Sequence, residues 1–454
     1  MLLRFGAANH RSLYGYQELL LSASKATHDE GMVMPVPTMR EAAVPVVAIY
    51  GANAAGKSNL IDAMHAIRTH VVGSHAGLDG TGTIPRHPFA LNGDAGPTRL
   101  DCTFTVDGRA SHDHPNGALE DVYEYGFEYT GEEFRREWLY RMVRNERLST
   151  QKLFERETEG GTIRVDFGGQ LRGENRTIAN LTRPNSLFLS ASAQNNHPQL
   201  TALHAYFAKN WKVVLSERTM SGIQAAERLS DFAHFDRLLD LVRQADVGIE
   251  EIDVDEDVVA EDDVKLVQDI ARVMTNHLRR SGESAAPADS LVERMQRRKR
   301  LYFIHGADDK QAVLDYDMQS KGTRTLITLL IPALEALAAG SLLVVDELDT
   351  SLHPDLARAF VSLFSKPESN PHGAQLIFST HDVTLLNSGL LRRDEIWMAD
   401  KDRQGASRFV PLSDFKLRSR DDIERAYRNG RVGGVPLGNE FHIDFDDSSR
   451  SVER

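Results

Sequence analysis

The 454-residue sequence predicts an α/β fold: an open sheet of buried strands, with an antiparallel β lobe and a helical lobe inserted along the chain. Three segments carry that expectation. The apolar run Val44–Tyr50 passes through Gly51-Ala52-Asn53-Ala54-Ala55-Gly56-Lys57-Ser58 into a helix-like stretch, Asn59–Met64. Leu342-Leu343-Val344-Val345-Asp346-Glu347 is a hydrophobic strand that ends in two carboxylates, and Gln375–His381 is another that ends in a histidine. Short apolar runs bounded by turn or charged residues read as fully buried strands of a central sheet.

In chain order, residues 1–83 read as strand, turn, strand, glycine-rich loop and helix, and form the N-terminal part of the core unit. Residues 84–197 change to alternating patterns. Leu100–Val106, Val122–Tyr129, Glu137–Met142 and Lys152–Glu157 are separated by Gly and Asp turns, which predicts an antiparallel β lobe. Ser111–Gly117 reads as a polar loop and Ser186–Ser190 as a short buried strand. Residues 198–300 have apolar positions at helical spacing in Leu200–Phe207 and Phe232–Val242, and form a helical lobe ending in a charged insertion. Within it, Ile249–Val259 is an acidic strand-like segment. Residues 301–436 return to the core, and 437–454 read as a flexible tail. The apolar stretch Leu326–Val345 is split by Gly340 into a helical half and a β-rich half, so it predicts a buried helix and strand and no membrane span.

Composition narrows the function classes. The net charge is −13, against a strongly basic nucleic-acid-coating protein. A single cysteine, Cys102, excludes an internal disulfide and suits a reducing cytoplasm. The first residues are strand-like, with none of the charge and apolar core of a signal peptide.

The chemistry is concentrated at the ends of the three strands. Gly51–Ser58 is G-x-x-x-x-G-K-S between a strand and a helix, the context that a phosphate-binding loop requires. Backbone N–H groups at the helix start point at phosphate oxygens, and Lys57 adds a positive charge. Ser58 offers a hydroxyl to Mg²⁺. Asn53, Gly56 and Asn59 complete the expected nucleotide contacts. Asp346 is placed to hold the metal and Glu347 to orient and polarise the attacking water. Ser320-Lys321-Gly322 opens the apolar helix before Leu342, and a Ser and a Gly at a helix N-terminus make an anion site.

Phosphate loop, Ser320–Gly322 segment, carboxylate strand, Asp349 and His381, in this order, resemble the ABC-type ATPases of the SMC, RecF and OLD group. The loop sequence is similar to that of the bacterial subfamily found in abortive-infection and anti-phage loci, which includes AbiL-type ATPases and the AriA ATPase of PARIS. So are Pro88–Leu91, Tyr125–Glu128, Leu153–Arg156, Phe188–Ser190, Ser351–Pro354 and Tyr427–Arg431. The resemblance implies an ABC-type P-loop ATPase head, with ATP and Mg²⁺ bound in a homodimer or higher homo-oligomer. Each site would be composite, with Ser320 and Gly322 of one subunit acting as a signature motif over the γ-phosphate held by the other. It implies a D-loop role for Asp349, a γ-phosphate contact for His381, a nucleotide contact for Arg11 and a Q-loop glutamine, for which Gln194 is the candidate. Lys321 and Thr323 depart from the usual LSGGQ form.

The gap between the two motif halves holds no heptad coiled coil, which argues against an SMC-type tether. Too little chain follows His381 for a built-in Toprim nuclease domain. The reading is an ATPase that senses or scaffolds in anti-phage defence, with nuclease chemistry on a separate effector, such as a Toprim-type protein. The alternative is a RecF-like DNA-binding repair ATPase. It would hold nucleic acid at Arg135, Arg136, Arg141, Arg144 and Arg147, or at Arg297–Arg300, although acids interleave the first group. The acidic run Asp253–Asp257 reads as a solvated face.

Overall fold

The computed structural model describes residues 1–24, 31–77, 82–92, 96–106, 121–144, 148–215, 220–245, 248–258, 297–307, 310–417 and 421–434. Its strands, in chain order, are β1 (Leu2–Ala8), β2 (Gln17–Leu20), β3 (Val46–Gly51), β4 (Thr98–Val106), β5 (Asp121–Tyr129), β6 (Phe134–Arg144), β7 (Leu148–Glu159) and β8 (Thr162–Phe167). Then come β9 (Trp211–Val214), β10 (Ile249–Val258), β11 (Arg297–Ala307), β12 (Lys310–Asp315), β13 (Leu342–Val345), β14 (Gln375–Ser379), β15 (Ile396–Lys401) and β16 (Ser407–Pro411). The helices are α1 (Lys57–Gly73), α2 (Asn175–Leu181), α3 (Phe188–Gln194), α4 (Leu200–Lys209), α5 (Gly222–Ser230), α6 (Phe235–Gln244), α7 (Lys321–Ala339), α8 (Pro354–Ser365) and α9 (Ile423–Arg428).

The central sheet has the order β16-β15-β3-β14-β13-β9 and is parallel except for the β15–β16 pair. Its three middle strands are buried on both faces, which is why they read as continuous apolar runs. The alternation still sorts them. Val47 and Ile49 of β3 and Val344 of β13 face one hydrophobic core, shared with α1, α4 and the β lobe. Val46, Ala48, Leu343 and Val345 face a second, shared with α7 and α8. Helix α7 is the one described helix long and apolar enough to cross a membrane, and 67% of that stretch is buried inside the molecule. Gly340 ends it at φ +61, a left-handed C-cap that suits glycine.

Most elements of the two lobes lie between the phosphate loop and β13 in the chain. Five strands, β4 to β8, form the expected antiparallel run, but the sheet has seven, in the order β2-β1-β4-β5-β6-β7-β8. The N-terminal strands β1 and β2 therefore belong to the β lobe and not to the central sheet. The helical lobe contributes α4, α5 and α6, together with a small sheet of β10, β11 and β12. The polar loop Ser111–Gly117, most of the charged insertion and the tail lie outside the described residues.

Two local expectations need correction. Ser186–Ser190 is no strand: Phe188 opens α3. The buried carboxylate of Glu137 explains the switch, because it accepts from the first helical N–H groups, Phe188 at 2.6 Å and Leu189 at 3.0 Å, and so caps the helix. Glu137 also accepts from Tyr125 Oη and pairs with Arg156, whose side chain is fully buried and donates to the Arg183, Pro184 and Ser186 carbonyls. Second, Trp211–Val214, inside the helical stretch, is a strand of the central sheet. The acidic run keeps its solvated face, with Asp253 and Asp255 exposed, and its strand pairs with the basic one. Asp255 lies opposite Arg300, Glu256 opposite Lys299 and Asp257 opposite Arg298 in the β10–β11 ladder.

Glu395 lies buried just before β15, where its carboxylate accepts from Arg392 N at 2.8 Å. Burial pushes its carboxyl up to about 8. A folded-state value above the unfolded one means that the stabilising contribution is complete below about pH 4.5 and is lost as pH rises through 8. Glu395→Gln should therefore flatten the fall in unfolding free energy between pH 5 and pH 9. Urea titrations showing the same slope for both proteins would reject this assignment.

Candidate active site

The C-terminal ends of β3, β13 and β14 meet at one edge of the central sheet, the position where open α/β sheets bind ligands. The phosphate loop leaves β3 and turns at Gly56, which has φ +105. A Cβ there would run into the Ser12 and Ser407 hydroxyls. Glycine is thus required both by conformation and by close approach. Behind the turn, Asn59 Nδ2 donates to Ser12 Oγ (2.6 Å), Ser12 and Ser407 share a 2.7 Å hydrogen bond, and Ser407 Oγ donates to the Ala55 carbonyl (2.6 Å). The relay has one consistent direction, from Asn59 to Ala55. Its members are 395 residues apart at the widest, so no local pattern announces it. Asn59, expected to contact nucleotide, here braces the loop from behind, whereas Asn53 is exposed on its outer side.

Lys57 is 5% exposed. Its Nζ donates to the Gly51 and Ala52 carbonyls at 2.8 and 3.2 Å and to His381 Nε2 at 3.0 Å. Burial pulls the ammonium below its ordinary range, against Asp346, Glu347 and Asp349, which pull it up. Burial, and then the Lys57 charge, depress the His381 imidazole, so His381 is the neutral acceptor of that bond. The backbone N–H of His381 is held by Asp349, at 3.2 and 3.3 Å to its two oxygens.

Asp346 Oδ1 accepts from Ser58 Oγ at 3.1 Å and from Ser379 Oγ at 2.6 Å. Ser379 in turn accepts from Glu347 N at 2.7 Å. One hydroxyl therefore locks both carboxylate positions, a role the sequence signals only by its place at the end of a buried strand. Glu347 has φ +53, a left-handed backbone unusual for a non-glycine residue, and its carboxylate accepts from Thr350 Oγ1 at 3.1 Å. The Ser58 hydroxyl beside the Asp346 carboxylate is a hard-oxygen donor pair that fits Mg²⁺.

Among the described residues, the remaining candidates make no side-chain hydrogen bond to Lys57, Ser58, Asp346, Glu347 or His381. Ser320 is the N-cap of α7, accepting from Thr323 N at 3.1 Å. Gly322 packs against the Ser351 carbonyl, which a Cβ would approach to 2.9 Å. Among the described residues no hydrogen bond joins Ser320 or Gly322 to the phosphate loop. Arg11 Nε donates to Asp62 of α1 at 2.6 Å and His10 approaches the same oxygen at 2.8 Å. Burial opposes ionisation of Asp62, but His10 and Arg11 outweigh it and hold its carboxyl below the usual range. Gln194 is exposed at the end of α3 and, among the described residues, has no side-chain hydrogen bond to the site. The strand that runs beside β13 is instead β9, and Asp346 N donates to Val214 O at 2.9 Å.

The arginines of β6 are largely engaged. Arg141 bonds Asp121 at 2.9 Å, Arg136 lies over Trp138 and near Glu128, and Arg144 donates to Met39 O. Arg147 lies outside the described residues.

The family described as "AAA domain, putative AbiEii toxin, Type IV TA system" matches residues 46–387. No curated protein matches the chain. Among solved structures, the chain is similar to the Smc head domain with an extended coiled coil bound to the C-terminal domain of ScpA, from Pyrococcus furiosus. Identity is 15% over 95% of this chain and 98% of that one, with a TM-score of 0.38.

Proposed function

Because the chain belongs to that AAA-domain family, whose match spans the phosphate loop, both carboxylates and His381, we propose that it is an ATPase that works as a switch between subunits. The observation that carries the reading is the convergence of Lys57, Ser58, Asp346, Glu347 and His381 at one sheet edge. ATP would lie along the loop, its β and γ oxygens met by the α1 N–H groups and Lys57. Ser58 and Asp346 would hold Mg²⁺, which neutralises charge on the transferred phosphoryl group. Glu347 would orient water and take its proton, and His381 would contact the γ-phosphate. Ser320 and Gly322 of a second copy would close the site, so that ATP bridges two subunits and hydrolysis parts them.

The output we assign to the switch is control of a separate effector in anti-phage defence, a nuclease of the Toprim type or another class. The family description supports the setting through its link to a toxin–antitoxin system. The chain's own site offers no second carboxylate cluster for nucleic-acid cleavage among the described residues.

Mixing Ser320→Arg subunits with Glu347→Gln subunits tests the shared site. Each variant alone should be inactive. A symmetric dimer formed by random mixing contains one intact site in each mixed pair, so activity should return to about a quarter of wild type. Mixtures that stay as dead as their components would reject the composite site.

A further inference from the structure

The segment Tyr427–Arg431 has no part in the chemistry assigned above, yet it and the turn after it pack against the start of the phosphate loop. Helix α9 leads on to Gly434, which has φ +73 and lies directly on Gly51. A Cβ on Gly434 would come within 3.2 Å of Gly51 Cα and 3.3 Å of the Ala399 carbonyl. Tyr427 Oη donates to the Gly434 carbonyl at 3.0 Å in the interior, and so holds this turn closed. The Tyr427 ring meets the Tyr50 ring edge-on, with centroids 6.1 Å apart. Tyr50 is fully buried, and its Oη donates at 3.2 Å to the carbonyl of Asp382, the residue after His381. The other end of α9 is tied to the same region. Its N-cap Asp422 accepts from Asn387 Nδ2 at 2.7 Å, and Asn387 Oδ1 accepts from Ile423 N at 3.2 Å. Asn387 closes the short turn Val383–Asn387 that follows Asp382.

These contacts close a ring. On the site side, Lys57 Nζ joins the Gly51 carbonyl to His381 Nε2. From behind, α9 and its turn join the same two chain segments. The sheet alone does not fix their spacing. Among the described residues, the last backbone hydrogen bond between β3 and the β14 segment runs from Thr380 N to Ile49 O at 3.1 Å, so Gly51 and His381 stand beyond it. We propose that Tyr427 is a positioning residue of the ATP site, holding the Gly51 carbonyl and His381 at the separation that Lys57 spans. It touches neither nucleotide nor water. It acts by keeping the loop start and the strand end from shifting against each other, and a displacement of about 1 Å in a reacting group costs up to about a hundredfold in rate. This role presupposes the ATPase reading and adds to it a part for the C-terminal segment.

The test measures ATP hydrolysis and ADP affinity on the full chain carrying Tyr427→Phe or Gly434→Ala, each with and without His381→Ala. Tyr427→Phe keeps the ring against Tyr50 and removes only the bond to Gly434. Its kcat should fall about fivefold, the equivalent of one buried hydrogen bond, with ADP affinity unchanged. Gly434→Ala disturbs the same contact from the other direction, pressing on Gly51 and straining a left-handed backbone, and should lower kcat at least as far. With His381→Ala already present, Tyr427→Phe should cost less than about twofold, because the separation it guards no longer matters. A residue that only supports the fold would cost the same fivefold in both backgrounds. An equal loss with and without His381 therefore overturns the role of Tyr427, as does hydrolysis at the wild-type rate by both single variants, and either result leaves the ATPase reading standing. A wild-type chain that hydrolyses no ATP overturns both.

Discussion

A Glu347→Gln protein is expected to bind ATP as tightly as wild type and to hydrolyse it at least about a hundredfold more slowly, the scale of a lost general base. The substitution isolates chemistry from structure. Glutamine keeps the length of the side chain and an oxygen to accept from Thr350, and it changes nothing in the left-handed backbone that Ser379 and Thr350 hold in place. What it removes is the ability to take a proton from water. If the proposed bridging by ATP is right, the variant should also accumulate as a dimer or larger assembly when ATP is added, visible as a shift in native mass that reverses when nucleotide is removed. Hydrolysis at the wild-type rate would sink the assignment of Glu347. Loss of hydrolysis without any assembly would leave the base in place and remove the bridge.

Glu137→Ala is expected to destabilise the fold by about 3–5 kcal/mol, the cost of stripping one partner from a buried ion pair. The carboxylate is 1% exposed and serves four donors. Removing it leaves Arg156 charged in the core, and leaves Tyr125 and the first two N–H groups of α3 without their acceptor. Glu137→Gln is the control, since an amide oxygen still accepts while the charge is gone, and it should fall between wild type and alanine. Denaturant unfolding reads the ranking directly. A loss under about 1 kcal/mol for alanine would mean that α3 does not depend on this carboxylate.

How much of this was legible in the sequence depended on whether the signal was local. The phosphate loop, the Asp346–Glu347 strand end and the strand before His381 carry their chemistry within a few residues, and each stands where its pattern indicates. The fold class and the antiparallel character of 98–167 were legible for the same reason, because alternation and turns are short-range features. Trp211–Val214 was missed because a four-residue parallel strand between helices has too few positions to show a period. Ser186–Ser190 looked like a strand because Leu187, Phe188 and Leu189 are all buried. The helix that forms there is chosen by Glu137, fifty residues upstream. The Asn59–Ser12–Ser407 relay and the facing of acidic β10 by basic β11 are likewise long-range pairings of residues unremarkable in their own neighbourhoods.

Strand β3 has both of its sheet neighbours, β14 and β15, roughly 330 residues downstream of it. During synthesis at about 5–20 residues per second, its six buried residues emerge some 15–70 s before either partner exists. The loop that grips phosphate is therefore among the first segments made and among the last to take shape. In the interval an apolar strand with two unpaired edges is exposed to any other nascent chain. Chains cut short before Gln375 should be insoluble and unable to bind nucleotide although they contain every residue of the loop. Yield of this protein should depend on chaperones that hold unfinished sheets more than on any substitution near the loop itself.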